Sequence, residues 1–352
     1  PIISEAPFGL KGWQVAFMAV GIPGMLLALL TWQIKEPPRG LSEGLISSES
    51  KNPLKETFKE LVGLTPFGLV GSDNFKKELS INIIFTVLIF LASYYLYVLT
   101  GDFLQWTAFG IGVYVICNWI HGLKNRDPVA FLLIFKSKAL LLGLLSFPFI
   151  TFVTYALGAF GPSFYIRNFS MTATEVGIIY GLITVFGSMI GVICGGILGD
   201  KLRETYVNGK LYLIMASAVL TGVTAIGFIH SENLVASFTW KFVYHIASTA
   251  WLGCAASTVT ELVLPRLRAV ASAFFILMLS MIGLALGPYL TGMVSDIYIN
   301  SGLLPGPALK NAMTLTLVVL VLPFGLLAVA CKYLKNDEAE IFDKARSLGE
   351  EI

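Results

Sequence analysis

The sequence predicts an all-α, multi-span membrane protein, and two observations carry that prediction. Of 352 residues, 56% are apolar and only 13% charged, with a mean hydropathy of +0.78, whereas a soluble domain carries about 25% charge. The apolar residues are also gathered into nine runs, each near the roughly 20 residues that a helix needs to cross about 30 Å of hydrocarbon. One soluble core of this chain length has no room for nine such runs.

In order, the runs are 12–33, 80–100, 103–121, 139–161, 175–199, 211–230, 241–264, 269–295 and 312–334. Residues 34–79 form a polar stretch with EPPRG at 36–40 and an amphipathic piece at 53–61. In that piece Pro53 stands at a helix start and Leu54, Phe58 and Leu61 share one face, as suits a surface helix or a solvated linker. Thr100, Gly101 and Asp102 make a tight turn between the second and third runs. Placing the C-terminus in the cytoplasm puts 20 of the 24 Lys and Arg residues on that side, as the positive-inside rule asks. Lys11, Arg167, Lys241 and Lys310 fall on the other side, where a lysine near a span end is expected to snorkel. Nine spans with the C-terminus inside put Pro1 outside, so the chain is expected to be a fragment preceded by an odd number of spans.

Soluble enzyme chemistry finds no foothold. Cys117, Cys194, Cys254 and Cys331 are far apart, and His121, His230 and His245 form no pair at ligand spacing, so neither a disulfide framework nor a metal site is expected. No phosphate loop or nucleophile elbow appears. His121 and Asp127 have five residues between them, which misses an acyltransferase motif. The net charge of +2 lies between the runs and leaves no nucleic-acid footprint. The expected partners are the bilayer and a small-molecule or lipid-like substrate; no cofactor is expected, proton coupling is left open, and the oligomeric state is not legible.

The run at 175–199 carries Gly177 and Gly181, then Gly187, Gly191, Gly195 and Gly199. Residues four apart share a helix face, so a second backbone can approach this one, whether for sliding or for static packing. The sequel GGILGDKLR holds Gly195, Gly196, Gly199, Asp200, Lys201 and Arg203. Its glycines are expected to end the helix at the membrane face, and Asp200 to cap a neighbouring helix or pair with a base in one conformational state. ELVLPRLRAVASAFFILMLSMIGLALGPYLTGMVSD at 261–296 supplies Pro265, Arg266, Arg268 and a small-residue series ending in Gly283, Gly287, Pro288 and Gly292.

These blocks, with GWQVAFMAVGIPGMLLALLTWQIKEPPRG at 12–40 and YALGAFGPSFYIRNFSMTATEVGIIYG at 155–181, resemble the major facilitator superfamily, and within it the bacterial Spinster-like branch. The resemblance implies a major facilitator fold lacking its first five helices. On it, 1–33 is the last helix of the N-terminal bundle, 34–79 a cytoplasmic linker, 123–138 a cytoplasmic loop, 139–334 the C-terminal six-helix bundle and 335–352 a cytoplasmic tail. The pair in 80–122 departs from the pattern as two extra helices between the bundles. Packing outside the bundles is expected for it, with Tyr94, Tyr95, Tyr97 and Trp106 near an interface.

The resemblance further implies a secondary transporter working by alternating access in a bacterial inner membrane, its substrate held near the midplane between bundles. Gly195, Gly196, Gly199, Asp200, Lys201, Arg203, Arg266 and Arg268 would form the gating motif. Candidate cavity residues are Tyr155, Phe164, Tyr180, His245, Ser248, Trp251 and Glu261. A charge in the membrane costs about 2.5 kcal/mol or more, which singles out Glu261, and His245 with Lys241 placed in the first turn of their span. Glu261 is expected to pair with Arg266 and Arg268. A lining of Phe, Tyr, Met, Leu and Gly suits an amphipathic, lysophospholipid-like solute or a small organic anion better than a sugar. The alternative is a non-transporting receptor or scaffold derived from a transporter.

Overall fold

A computed structural model describes residues 12–35, scattered positions between 52 and 65, residues 75–341, and 346 and 347. It falls into two units, residues 1–48 and 49–352. The first holds α1 (Gly12–Thr31), an apolar helix with Pro23 inside it. In the second, Leu54, Phe58 and Leu61 are helical and exposed; the remainder of the amphipathic piece, Pro53 included, and most of the linker lie outside the described residues.

A hairpin follows, α2 (Phe75–Thr100) and α3 (Phe103–Arg126). Gly101 closes its turn at φ +81°, a left-handed conformation that a side chain would strain. Residues 123–138 are not the loop expected: α3 runs to Arg126 and a nine-residue helix, α4 (Pro128–Lys136), follows. Asp127 explains this, because its carboxylate accepts the Ala130 N–H at 2.9 Å and Pro128 occupies the first turn, a strong helix start.

Six rods then form the bundle. They are α5 (Lys138–Phe169), α6 (Ala173–Thr205), α7 (Gly209–His230), α8 (Leu234–Glu261), a rod of α9 (Arg268–Met278) and α10 (Ala285–Asn300) joined by a π-helical segment at Leu279–Leu284, and a rod of α11 (Pro305–Thr316) and α12 (Val321–Ala330). A short α13 (Leu334–Ala339) follows, at the start of the segment read as the tail. α5 is the hub and packs on the last two rods as well as on α6 and α8. Its N-terminus is closed from the far end of the chain: Asp337 of α13 accepts the Ala139 N–H at 2.8 Å and the Ser137 hydroxyl at 2.9 Å. α6 opens with a Thr172–Glu175 capping box, and Asn233 caps α8 through the Val235 and Ala236 N–H groups.

All nine apolar runs are helical, and seven rods, α2 and α3 among them, are long and apolar enough to cross a membrane. α8 is long enough but more polar, and the reason is its place: Ser237, Lys241, His245, Ser248 and Thr258 are all buried against other helices. It also starts at Leu234, so Lys241 stands two turns inside the helix, correcting its placement in the first turn. The described chain is a multi-pass, all-α membrane protein.

The glycine face of α6 divides. A Cβ at Gly187 would meet His245, and one at Gly191 or Gly195 would strike the carbonyls of Ile246 and Ala250 on α8; Gly177, Gly181 and Gly196 meet nothing within 4 Å. The helix does not end at these glycines but continues to Thr205, because Gly199 lies against Cys254 as part of the same seam. Replacing Gly195 by Val is therefore expected to lower the thermal midpoint in detergent through a loss of roughly 1–3 kcal/mol, whereas Gly196→Ala leaves the midpoint unchanged or raises it; fluorescence-detected thermal unfolding of the two variants checks the pair.

Candidate functional site

Two polar assemblies stand out, one at the end of the bundle where the basic loops gather and one inside it. At the basic end, antiparallel rods bring together helix termini that are far apart in sequence. Lys210, at the start of α7, pairs with Glu261 at the end of α8 and lies 3.7 Å from Asp200 of α6. Glu261 thus belongs to a different pair from the one expected with Arg266 and Arg268. Asp200 is exposed and caps no helix; its partner Lys210 sits on the next helix of the same bundle. Arg203 reaches Glu338 of α13 and the Val207 carbonyl, Arg268 donates to the Thr260 carbonyl at 3.1 Å, and Lys201 is exposed. Cys254 donates to the Gly195 carbonyl at 3.5 Å, which joins the glycine seam to this end.

Arg266 reaches outside the bundle and meets Asp127, between α3 and α4, at 2.7 Å. At the opposite end of α3, Asp102 accepts the Tyr289 hydroxyl at 2.6 Å. Between these ties Trp119 stacks on Phe274 at 5.3 Å, and Trp106 is buried edge-on against Tyr289 at 5.4 Å. Trp106 is thus a packing residue, while Tyr94 and Tyr95 are exposed. Within the hairpin, Glu78 meets His121 and Asn125, and Asn82 meets Asn118 and Tyr114, so α2 and α3 are joined by polar contacts. A groove of about 720 Å³ follows the hairpin from Asn82 and Tyr114 to Tyr97 and Phe103.

Inside the bundle, aromatic residues of three helices surround Lys241. Its Nζ lies 4.2 Å from the ring centre of Phe228, 4.4 Å from Tyr244 and 5.0 Å from Tyr180. The side chain is fully buried, and Nζ has no hydrogen-bond partner. Snorkelling is excluded by this position. Three rings contribute about 0.5–2 kcal/mol each toward an ammonium, against an effective penalty of several kcal/mol for burying one. Phe164 and Tyr165 of α5 extend the cluster, at 6.0 Å from Phe228 and 6.1 Å from Tyr180. His245, one turn from Lys241, lies 3.1 Å from the Thr184 hydroxyl, and that hydroxyl donates to the Tyr180 carbonyl at 2.8 Å. A hydroxyl has one proton to give, so His245 Nε2 is the donor in their contact.

Of the cavity candidates, Phe164, Tyr180 and His245 therefore converge. Trp251 does not join them: it donates to the Ser248 carbonyl at 3.0 Å and packs on Phe147 at 5.9 Å, while the Ser248 hydroxyl donates to the His245 carbonyl at 3.4 Å. Tyr155 is 42% exposed on α5, and Glu261 is at the basic end. The sequence reading missed Lys210, Asp337 and the central position of Lys241. For Lys241 a signal existed, since Asn233 eight residues earlier is a good helix cap. Among the described residues no three His, Cys, Asp or Glu side chains could hold a metal.

Comparison with known proteins follows the same lines. No family model matches the chain. An MFS-type efflux pump of Mycolicibacterium smegmatis is 30% identical over 201 residues, covering 56% of this chain and 45% of the pump. The protein spinster of Drosophila melanogaster is 26% identical over 173 residues, covering 46% of this chain and 28% of that protein. The chain is similar to MFS-type and Spinster proteins. It spans less than half the length of these curated relatives. A solved bacterial homolog of the human lysosomal transporter Spinster, inward-facing and occupied, aligns over 69% of this Spinster-like chain and 58% of its own at 22% identity, with a TM-score of 0.47.

Asp127 offers a test of the tie between hairpin and bundle. Partial burial works to raise its pKa, but the hydrogen bond from Arg266 and the Ala130 N–H outweigh this and hold the carboxyl below its ordinary range. A lowered carboxyl pKa contributes stability above the unfolded value of about 3.9, and that stability is lost as pH falls through the folded value. The pair is about one-third exposed, so its worth is about 1 kcal/mol or less. Asp127→Asn is expected to lower the thermal midpoint slightly at pH 6–7, and its gap to the parent to close as pH falls through the lowered folded value; a gap that does not shrink on acidification would count against the pair.

Proposed function

We propose that this chain is part of a secondary transporter that works by alternating access and is not an enzyme. The observation that carries the reading is the α6–α8 seam, where two backbones touch along Gly187, Gly191 and Gly195 and end in the Asp200, Lys210 and Glu261 cluster. A side-chain-free seam lets packed helices shift with little steric resistance, and ion pairs at the helix ends, with Lys210 buried beside the more exposed Asp200 and Glu261, can exchange partners between states. Gly195, Gly196, Gly199, Asp200, Lys201, Arg203, Arg266 and Arg268 are assigned to this gate, with Lys210 and Glu261 added to it.

The solute is an amphipathic, lipid-like molecule of the lysophospholipid kind or a small organic anion, in keeping with an interior dominated by aromatic rings and a single cation. The curated relatives are named an efflux pump and Spinster proteins, which supports transport as the activity. Residues 139–334 act as the C-terminal bundle and α1 as a helix of the N-terminal bundle. The C-terminus faces the cytoplasm of a bacterial inner membrane, since that orientation assigns 20 of the 24 basic residues of the sequence to the cytoplasmic side.

Flux through the full-length protein in proteoliposomes tests the proposal, with labelled lysophospholipid, an organic anion and a sugar offered with and without an imposed proton gradient. Saturable lysophospholipid or organic-anion flux, reduced about tenfold or more by Lys210→Ala, is the expected outcome. Sugar flux would replace the solute assignment, and absence of all three fluxes would favour a receptor or scaffold.

A further inference from the structure

The unpaired cation in the bundle interior has no role in the gate or in packing. A leucine or methionine would fill the space between Phe228 and Tyr244 at lower cost, because an ammonium removed from water without an anion is uncompensated. Nothing on its own helix neutralises it: Glu261 is 20 residues away, about 30 Å along α8. Glu175, near the start of α6, is held in its capping box by Thr172.

The walls around Lys241 differ in strength. Phe228 and Tyr244 are almost completely buried, at 0% and 1% exposure. Tyr180 is the more exposed wall, at 8%, and its hydroxyl reaches the Leu157 and Gly158 carbonyls at 3.4 and 3.5 Å, the outer limit of a hydrogen bond. The Tyr180 ring lies on Gly161 of α5, where a Cβ would strike it, and Gly158 and Gly177 on the same two helices are exposed. A rotation of the Tyr180 side chain toward the exposed Gly158 side would uncover the ammonium.

We propose that Lys241 is an oxyanion receptor roofed by Tyr180, and that it takes the phosphate or carboxylate group of the transported solute. The inference rests on the transporter reading and narrows its solute to an anionic amphiphile. The oxyanion neutralises Nζ, and the aromatic residues of the cage meet the apolar part of the solute next to its charged group. His245 donates from Nε2 to Thr184, which in turn holds the Tyr180 carbonyl, so it positions the roof.

The test reads binding apart from flux, through the thermal midpoint of the full-length protein in neutral maltoside micelles titrated with decyl phosphate, decanoate or inorganic phosphate. Decyl phosphate and decanoate are expected to raise the midpoint of the parent. Lys241→Met is expected to raise the midpoint without ligand and to weaken decyl phosphate at least about tenfold, while Lys241→Arg keeps binding and Tyr180→Ala strengthens it. Unchanged decyl phosphate affinity in Lys241→Met, or weaker binding in Tyr180→Ala, overturns the receptor. An equal, Lys241-dependent shift with inorganic phosphate alone identifies a free-anion site and overturns the amphiphile as its source. Lys241-dependent binding without flux overturns the transporter reading alone, and flux that does not depend on Lys241 overturns the anion receptor alone.

Discussion

Hydrocarbon offers no hydrogen bonds, and everything else in this structure depends on that constraint. Each backbone amide within the membrane must be satisfied inside its own helix, so the chain is built of rods joined by short, capped turns. Polar side chains must then find partners in the bundle. α8 is where this is most visible: too polar for a lipid-facing span, it is placed between α6 and α7, and its Ser237, Ser248 and Thr258 hydroxyls bond to main-chain carbonyls.

The same constraint explains why charge is sorted to the ends of the rods. Lys210 with Glu261, Arg203 with Glu338, and Arg266 with Asp127 all lie where rods terminate, and each joins segments that the sequence separates widely. Asp337 works in this way on the backbone, closing the start of α5 from α13. The basic end is consequently the one place where the hairpin, four bundle helices and the last helix are tied together by polar contacts, and a shift of α6 along α8 is felt there first. Lys241 is the exception to the sorting. It is a cation in the interior with rings in place of an anion, and that departure from the rule marks it as more than a packing residue.

Much of the fold was legible because the forces behind it are local. Apolar runs of span length, the glycine repeat of α6 and the Thr100-Gly101-Asp102 turn depend only on residues near one another. Legibility failed where a residue's state depends on distant partners. Gly199 reads as a helix end, yet Cys254 opposite makes it part of a seam. Asp127 reads as loop, but its carboxylate caps α4 and pairs with Arg266, 139 residues on. Trp251 and Ser248 look like cavity residues by type, but the Trp251 indole donates to the Ser248 carbonyl and the Ser248 hydroxyl to that of His245.

By itself the sequence determined that the chain crosses a membrane as helices, where those helices run, and which resemblance they carry. Periodicity, hydropathy and motif order are written along the chain. Which carboxylate faces which base, which glycines meet a backbone, and that Lys241 is enclosed by Tyr180, Phe228 and Tyr244 were decided only by the tertiary structure. Ion pairing and burial are relations between helices, and they exist only once the rods have chosen their neighbours.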